Sequence, residues 1–180
     1  MPNYIAFLRA INVGGHTVKM ERLRQLFEAL DLSQVESFIN SGNVGFTARA
    51  GQAASLEKKI EAHLTQALGY TVEVFLRTPA ELGAIAAHQP FQPPPAGGNQ
   101  YIAFVHAPVS AVAQQKLAAL DSADDHFQAH GREVYWWRSG GLSDSPLSAS
   151  GRFEKLLGVP ATLRNVTTVR KLAQKYKADQ

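Results

Sequence analysis

The four residues Tyr4-Ile5-Ala6-Phe7 return letter for letter as Tyr101-Ile102-Ala103-Phe104. A chain that opens the same strand twice is constrained to build one plan twice, if the elements behind each copy come in the same order. After the first copy, apolar spacing predicts a strand over 4–9 and a helix over 20–32, with Leu23, Leu26, Phe27 and Leu30 three or four residues apart. Two strands over 35–40 and 43–47 flank a Ser41-Gly42 turn. A second helix over 55–68 carries Leu56, Ile60, Leu64 and Leu68 on one stripe, and Gly69 stops it before a strand over 71–77. A short helix over 79–88 follows, capped by Thr78 with proline in its first position.

The second copy repeats the order. A helix over 110–120 is predicted to turn Val112, Leu117 and Leu120 inward. A hairpin over 126–129 and 133–138 turns at Gly131, and its adjacent Trp136 and Trp137 point to opposite faces. A helix over 146–157 is capped by Ser145 and ended by Gly158, then come a strand over 161–165 and a last helix over 167–176. The order β-α-β-β-α-β is that of the split βαβ unit. The predicted fold is α+β, with two tandem ferredoxin-like (βαββαβ) subdomains: 1–89 with a trailing helix, a Pro/Gly-rich linker over 90–100, and 101–180 with a C-terminal helix.

Composition narrows the function classes. With 45% hydrophobic and 18% charged residues, this is an ordinary globular chain. No apolar run approaches the roughly 20 residues of a bilayer span, so no membrane role is expected. The N-terminus lacks the basic-then-apolar pattern of a signal peptide, since Arg9 and Asn12 interrupt its apolar stretch. The absence of cysteine removes disulfides and thiolate chemistry and fits the expected cytoplasmic location. Charge is uneven: residues 152–177 hold seven cations against Glu154 alone, a basic end that suits phosphates or nucleic acid as well as a helix macrodipole.

Three short stretches resemble one family. Arg9-Ala10-Ile11-Asn12-Val13-Gly14-Gly15, followed by Lys19-Met20, resembles its RGINVGG loop, and Ile39-Asn40-Ser41-Gly42-Asn43-Val44 resembles its SGNV hairpin. Leu163-Arg164-Asn165 with Thr168-Val169 and Lys171-Leu172 resembles its C-terminal stretch. The family is the bacterial domain-of-unknown-function family 1697, and the resemblance covers nearly the whole chain. It implies two tandem ferredoxin-like subdomains and no activity. Ala10 departs from the usual glycine, and Val166-Thr167 from the usual Trp-Asn.

The glycine-rich loop carries the chemistry. Backbone N–H groups at such a strand-to-helix turn can hold an anion beside a helix N-terminus, although neither the P-loop nor the dinucleotide spacing is present. The expected ligand-binding set is Arg9, Asn12, Gly14, Gly15, Lys19, Ser41, Asn43, Arg164 and Asn165, converging in a cleft between the subdomains on a phosphorylated or carboxylated small molecule. It is rich in cations and amides and has no clear general base, which suits binding better than turnover. The alternatives are an enzyme using the same cleft, with His16 as acid–base group, and nucleic-acid binding through the basic C-terminal helix. Sheet aromatics Tyr4, Phe7 and Phe46 offer a weaker RNA reading. No cofactor and no metal are expected: Asp124, Asp125, His126 and His130 read as a solvated turn. The serines 143, 145, 148 and 150 lack a nucleophile elbow, so no catalytic residue is named.

Overall fold

The computed structural model describes residues 1, 3–39, 42–49, 51, 53–148 and 151–177. Among them it is a mixed α+β protein with two four-stranded antiparallel sheets and six α-helices. Contacts divide it into two compact units, Met1–Leu82 with Tyr176–Gln180, and Gly83–Lys175.

Unit 1 holds β1 (Asn3–Leu8), α1 (Met20–Glu28), β2 (Ser33–Phe38), β3 (Asn43–Thr47), α2 (Ala53–Leu68) and β4 (Val74–Arg77), with sheet order β2-β3-β1-β4. Alternate residues of β1 face opposite ways. Tyr4, Ala6 and Leu8 pack with Phe46, Leu76, Leu23, Phe27, Ile60 and Leu64 in one core. Ile5, Phe7, Phe75 and Arg77 are buried as well. α1 ends at Glu28, four residues short of the expected 32, because Leu30 and Asp31 close turns on Phe27 and Glu28 and Asp31 is left-handed.

The edge strand β4 shows how α2 is placed. Its outward N–H groups need acceptors. Val72 donates to Thr65 Oγ1 at 3.1 Å, Val74 to Glu61 Oε1 at 2.9 Å and Leu76 to Glu57 Oε2 at 2.8 Å. Four residues of helix rise about 6 Å and two residues of strand about 6.8 Å, so a stripe at i, i+4, i+8 can meet every second strand amide. Glu57 is therefore a buried structural acceptor. Glu57→Ala is expected to lower stability by about 1–3 kcal/mol, the cost of an orphaned buried N–H, and Glu57→Gln to recover most of it; urea denaturation of the two variants checks this.

Unit 2 holds the later part of α3 (Pro79–Ala87), then β5 (Asn99–Phe104), α4 (Ala111–Ala119), β6 (Asp125–His130), β7 (Glu133–Arg138), α5 (Arg152–Leu157), β8 (Thr162–Asn165) and most of α6 (Val166–Lys177), with sheet order β6-β7-β5-β8. The Tyr135 hydroxyl donates to the Ile85 carbonyl, which ties the end of α3 to β7. The Pro/Gly-rich stretch also packs here: the Trp137 indole donates to the Gly97 carbonyl at 3.0 Å. Both tryptophans are buried, Trp136 in the core and Trp137 under Gly97 and Gly98.

Two expectations for unit 2 are corrected. Val112 is 61% exposed and Leu120 is exposed too; the Ser110 cap on the Ala113 N–H sets a phase in which Ala113 and Leu117 face inward. The expected helix over 146–157 is a 3₁₀ turn at Pro146–Ser148 and a separate α5, because Gly151 is left-handed. Ser145 does cap the 3₁₀ turn, accepting from Leu147 N–H.

Candidate functional site

The glycine loop leaves β1 between the hairpin and β4. Leu8 N–H donates to the Gly42 carbonyl at 2.8 Å and Arg9 N–H to the Glu73 carbonyl at 2.9 Å. Gly42 has φ +75°, and a Cβ on it would stand 3.1 Å from Ile11 Cβ and 3.2 Å from Leu8 Cβ, so the hairpin lies directly on the base of the loop. From there Ala10, Asn12 and Gly14 have φ of +64°, +56° and +61°, while Ile11 and Val13 do not share the left-handed region. Left-handed positions of this kind belong to tightly turned loops, the class of backbone from which anion-holding nests are built. Gly15 continues at φ +85°. The His16 N–H closes a turn on the Val13 carbonyl at 3.1 Å, and Asn12 Oδ1 accepts the Val18 N–H at 2.8 Å.

Lys19 stands at the N-cap of α1 with extended backbone and no side-chain cap bond, so it leaves the first-turn amides uncapped. Glu21 puts a negative charge in the same turn, held by Arg24. Arg9 faces the Glu73 carboxylate at 3.5 Å, which offsets part of its charge. Asn43 is fully buried opposite Phe7, and its amide donates to the Phe38 carbonyl at 3.1 Å, making it a strut of the hairpin. Ser41 lies outside the described residues. Unit 1 thus gathers Arg9, Asn12, Gly14, Gly15 and Lys19 in one loop, with Asn43 beneath it.

Arg164 and Asn165 belong to unit 2 and are engaged locally. Arg164 is 8% exposed and donates to Thr162 Oγ1 and the Leu163 carbonyl, both at 2.8 Å. Burial pushes its pKa down to about 10. Asn165 Oδ1 accepts the Thr167 N–H at 2.8 Å and caps α6. Unit 1 has the same pair. Arg77, 1% exposed, stands opposite Ile5 just as Arg164 stands opposite Ile102. Thr78 then caps α3 in a capping box with Glu81. The equivalence extends to the edge: Val74 N–H goes to Glu61, Ala161 N–H to Glu154. Sequence reasoning missed Arg77; aligning the second repeat on the first through their last strands was the available signal.

His16 is exposed, and its ring lies nearly parallel to Tyr70 at a centroid distance of 3.8 Å. The Tyr70 hydroxyl is buried without a hydrogen-bond partner among the described residues, and this desolvation raises its pKa above the ordinary tyrosine value. In the unfolded chain the hydroxyl ionises near the ordinary value of about 10. Tyr70 therefore draws stability away as pH climbs past that point, because the unfolded state releases its proton first. Tyr70→Phe is expected to be neutral, or to add up to about 1 kcal/mol at pH 7 by removing the orphan, and to lose less stability from pH 9 to 11; denaturant midpoints of both proteins across that range test it.

The remaining candidates resolve into structure. Tyr4, Phe7 and Phe46 are buried, so the sheet presents none of them for base stacking. The expected solvated turn is a bonded network. Ser139 Oγ donates to Asp124, while Asp125 takes the Trp136 indole and Arg138. His126 Nδ1 meets Asp121. No three of His, Cys, Asp and Glu among the described residues form a metal-holding group. No helix among them is long and apolar enough to cross a membrane. A groove of unit 1 is lined by Glu21, Arg24 and Glu28 of α1 and by Gln34 and Glu36 of β2, with none of residues 9–19 in its lining, and its three carboxylates against one arginine make it a poor place for an anion.

No curated protein matches the sequence. Among solved structures, the chain is similar to the conserved bacterial protein SP0830 from Streptococcus pneumoniae, with 27% identity and a TM-score of 0.74 over 98% of this chain and 99% of that one. The family model described as "Protein of unknown function (DUF1697)" matches residues 1–135, and the chain belongs to that family.

Proposed function

We propose that each unit is a ferredoxin-like plait and that the β1–α1 loop of unit 1 binds a small anion, a phosphorylated or carboxylated molecule. The plait reading rests on the βαββαβ order and the sheet order β2-β3-β1-β4, repeated as β6-β7-β5-β8. One observation carries the binding reading: left-handed residues at 10, 12, 14 and 15 in the loop that leads, four residues later, into the uncapped start of α1. Lys19 adds the charge, and Arg9 adds what Glu73 leaves. Arg164 and Asn165 are not needed for it.

A thermal-shift panel of phosphate, sulfate, nucleotides, phosphorylated and carboxylated metabolites and a short single-stranded RNA at low salt tests this. A native-state ligand at roughly 100 times its Kd stabilises by about 2.7 kcal/mol. The expected result is a shift with one small-anion class that drops at least about tenfold in affinity in Lys19→Glu, whose side chain makes no cap bond. An equal shift in that variant places the ligand elsewhere, and a steep salt slope with RNA alone favours the nucleic-acid alternative. A second reading, turnover in the same loop, draws on the exposed His16 ring, whose nitrogens bond to no described residue. Turnover lost in His16→Ala with anion binding intact is its signature.

A further inference from the structure

The two copies of the plan differ where the glycine loop stands. In unit 2 the connection from β5 to α4 is short, residues 105–110. Its Val105 and Val109 are buried, none of its residues is left-handed, and Ser110 caps the helix. In unit 1 the same connection runs over residues 9–19, and residues 12–17 are all exposed. The shared order of elements therefore does not require the longer loop. A loop so exposed, with Ala10 and Asn12 left-handed, keeps its shape only where its surroundings hold it.

The glycines do not supply that hold. A Cβ built on Gly14 or Gly15 meets nothing within 4 Å. The residue after them does. The His16 ring lies on Tyr70 at a centroid distance of 3.8 Å and an angle of 22°. Tyr70 follows Gly69, the stop of α2, and packs against the core of unit 1. Its counterpart in unit 2 is Val159, after the Gly158 that ends α5, and it stands 41% exposed. The long loop and the aromatic ring that receives its histidine thus occur together in one unit, and the other has neither. The Tyr70 hydroxyl has no hydrogen-bond partner among the described residues, so the ring makes this contact.

We propose that Tyr70 is a positioning residue for the anion loop: its ring latches His16, and through His16 it holds Gly14 and Gly15 in the shape that meets the ligand. This rests on the anion reading of the loop given above. Tyr70 acts on the fraction of molecules whose loop is ready to bind, and affinity falls in proportion to that fraction. The unaltered full chain is compared with Tyr70→Phe, Tyr70→Ala and His16→Ala. Backbone order at Gly14 and Gly15 is read without any anion by ¹⁵N relaxation, and inorganic phosphate is then titrated on the same amide signals. Order parameters are expected near about 0.85 in the unaltered protein and Tyr70→Phe, and below about 0.6 in both alanine variants. Phosphate affinity is expected to be equal in the first two and about three- to tenfold weaker in the alanine variants, the worth of one stacked ring pair. His16 is exposed, so His16→Ala breaks the stack without disturbing the core that Tyr70→Ala also touches. Rigid glycines in His16→Ala, or a loosened loop in Tyr70→Phe, would overturn the latch. Undiminished phosphate affinity in a loosened His16→Ala loop would overturn the positioning role. Phosphate that moves neither glycine signal in the unaltered protein overturns the anion reading and the positioning role with it, while the anion-free order parameters decide the latch separately.

Discussion

Asp125→Ala is expected to destabilise unit 2 by about 3–5 kcal/mol, the range for removing one partner of a buried ion pair. Asp125 sits at the start of the edge strand β6, opposite Arg138 on β7. Its Oδ1 accepts the Trp136 indole at 2.7 Å and Arg138 NH1 at 2.8 Å, and its Oδ2 accepts the same NH1 at 2.7 Å. The two side chains are only 10% and 17% exposed. Without the carboxylate, Arg138 keeps the Gly141 carbonyl on its Nε and little else to offset its charge, while a core indole N–H is orphaned. The cost comes from the stranded charge rather than from the worth of the pair, and a cycle separates the two. In an Arg138→Met background, Asp125→Ala should cost far less. Both tryptophans lie in unit 2, so tryptophan fluorescence in urea reads that unit directly. A loss below about 1 kcal/mol in the single variant would mean that water reaches Arg138 and the pair behaves as a surface one.

Gly98→Ala is the second large effect, about 2–5 kcal/mol from two sources. Gly98 has φ +67°, which costs an L-residue about 1–2 kcal/mol. Its added Cβ would also stand 2.5 Å from the Arg138 carbonyl oxygen and 2.7 Å from Trp137 Cε2 and Cζ2, an overpacking term of about 1–3 kcal/mol. Gly97 is the internal control. It has φ +68° and nothing within 4 Å of a built Cβ, so Gly97→Ala should carry the conformational cost alone. The loss of unfolded-state entropy is common to both and cancels. The difference between the two urea midpoints isolates the contact of this stretch with Trp137 and β7. Equal midpoints would show that the indole gives way freely.

Much of this fold was legible because its signals are local. Thr78 caps the helix that it precedes, and Gly69 and Gly158 are left-handed where helices stop. Each is a matter of a few consecutive residues. The inward face of α4 was misread because Val112 is apolar, whereas the Ser110 cap sets the phase of the helix and leaves Val112 outside. The glycine loop was visible as a loop. Its left-handed Ala10 was not, since alanine gives no hint of positive φ. Asn165 carries an amide that serves equally a ligand or a helix cap, and only the Thr167 N–H at 2.8 Å shows it capping. The acidic cluster near 124–126 read as solvated because nothing in the sequence says that Arg138 lies across the hairpin from Asp125.

By itself the sequence determined the repeated order of strands and helices, the caps and stops, and the place of the loop, because periodicity, capping and glycine φ act within about one helical turn or one strand. Tertiary structure alone decided which groups meet across long separations. Glu57 and Glu61 reach amides of β4 19 and 13 residues away, and Asp125 meets an arginine 13 residues on. Strand pairing also puts the Arg77 and Arg164 guanidiniums opposite equivalent isoleucines. The physical reason is that buried donors and charges must be satisfied wherever packing places them, and packing follows strand order and register, which no short stretch of chain contains.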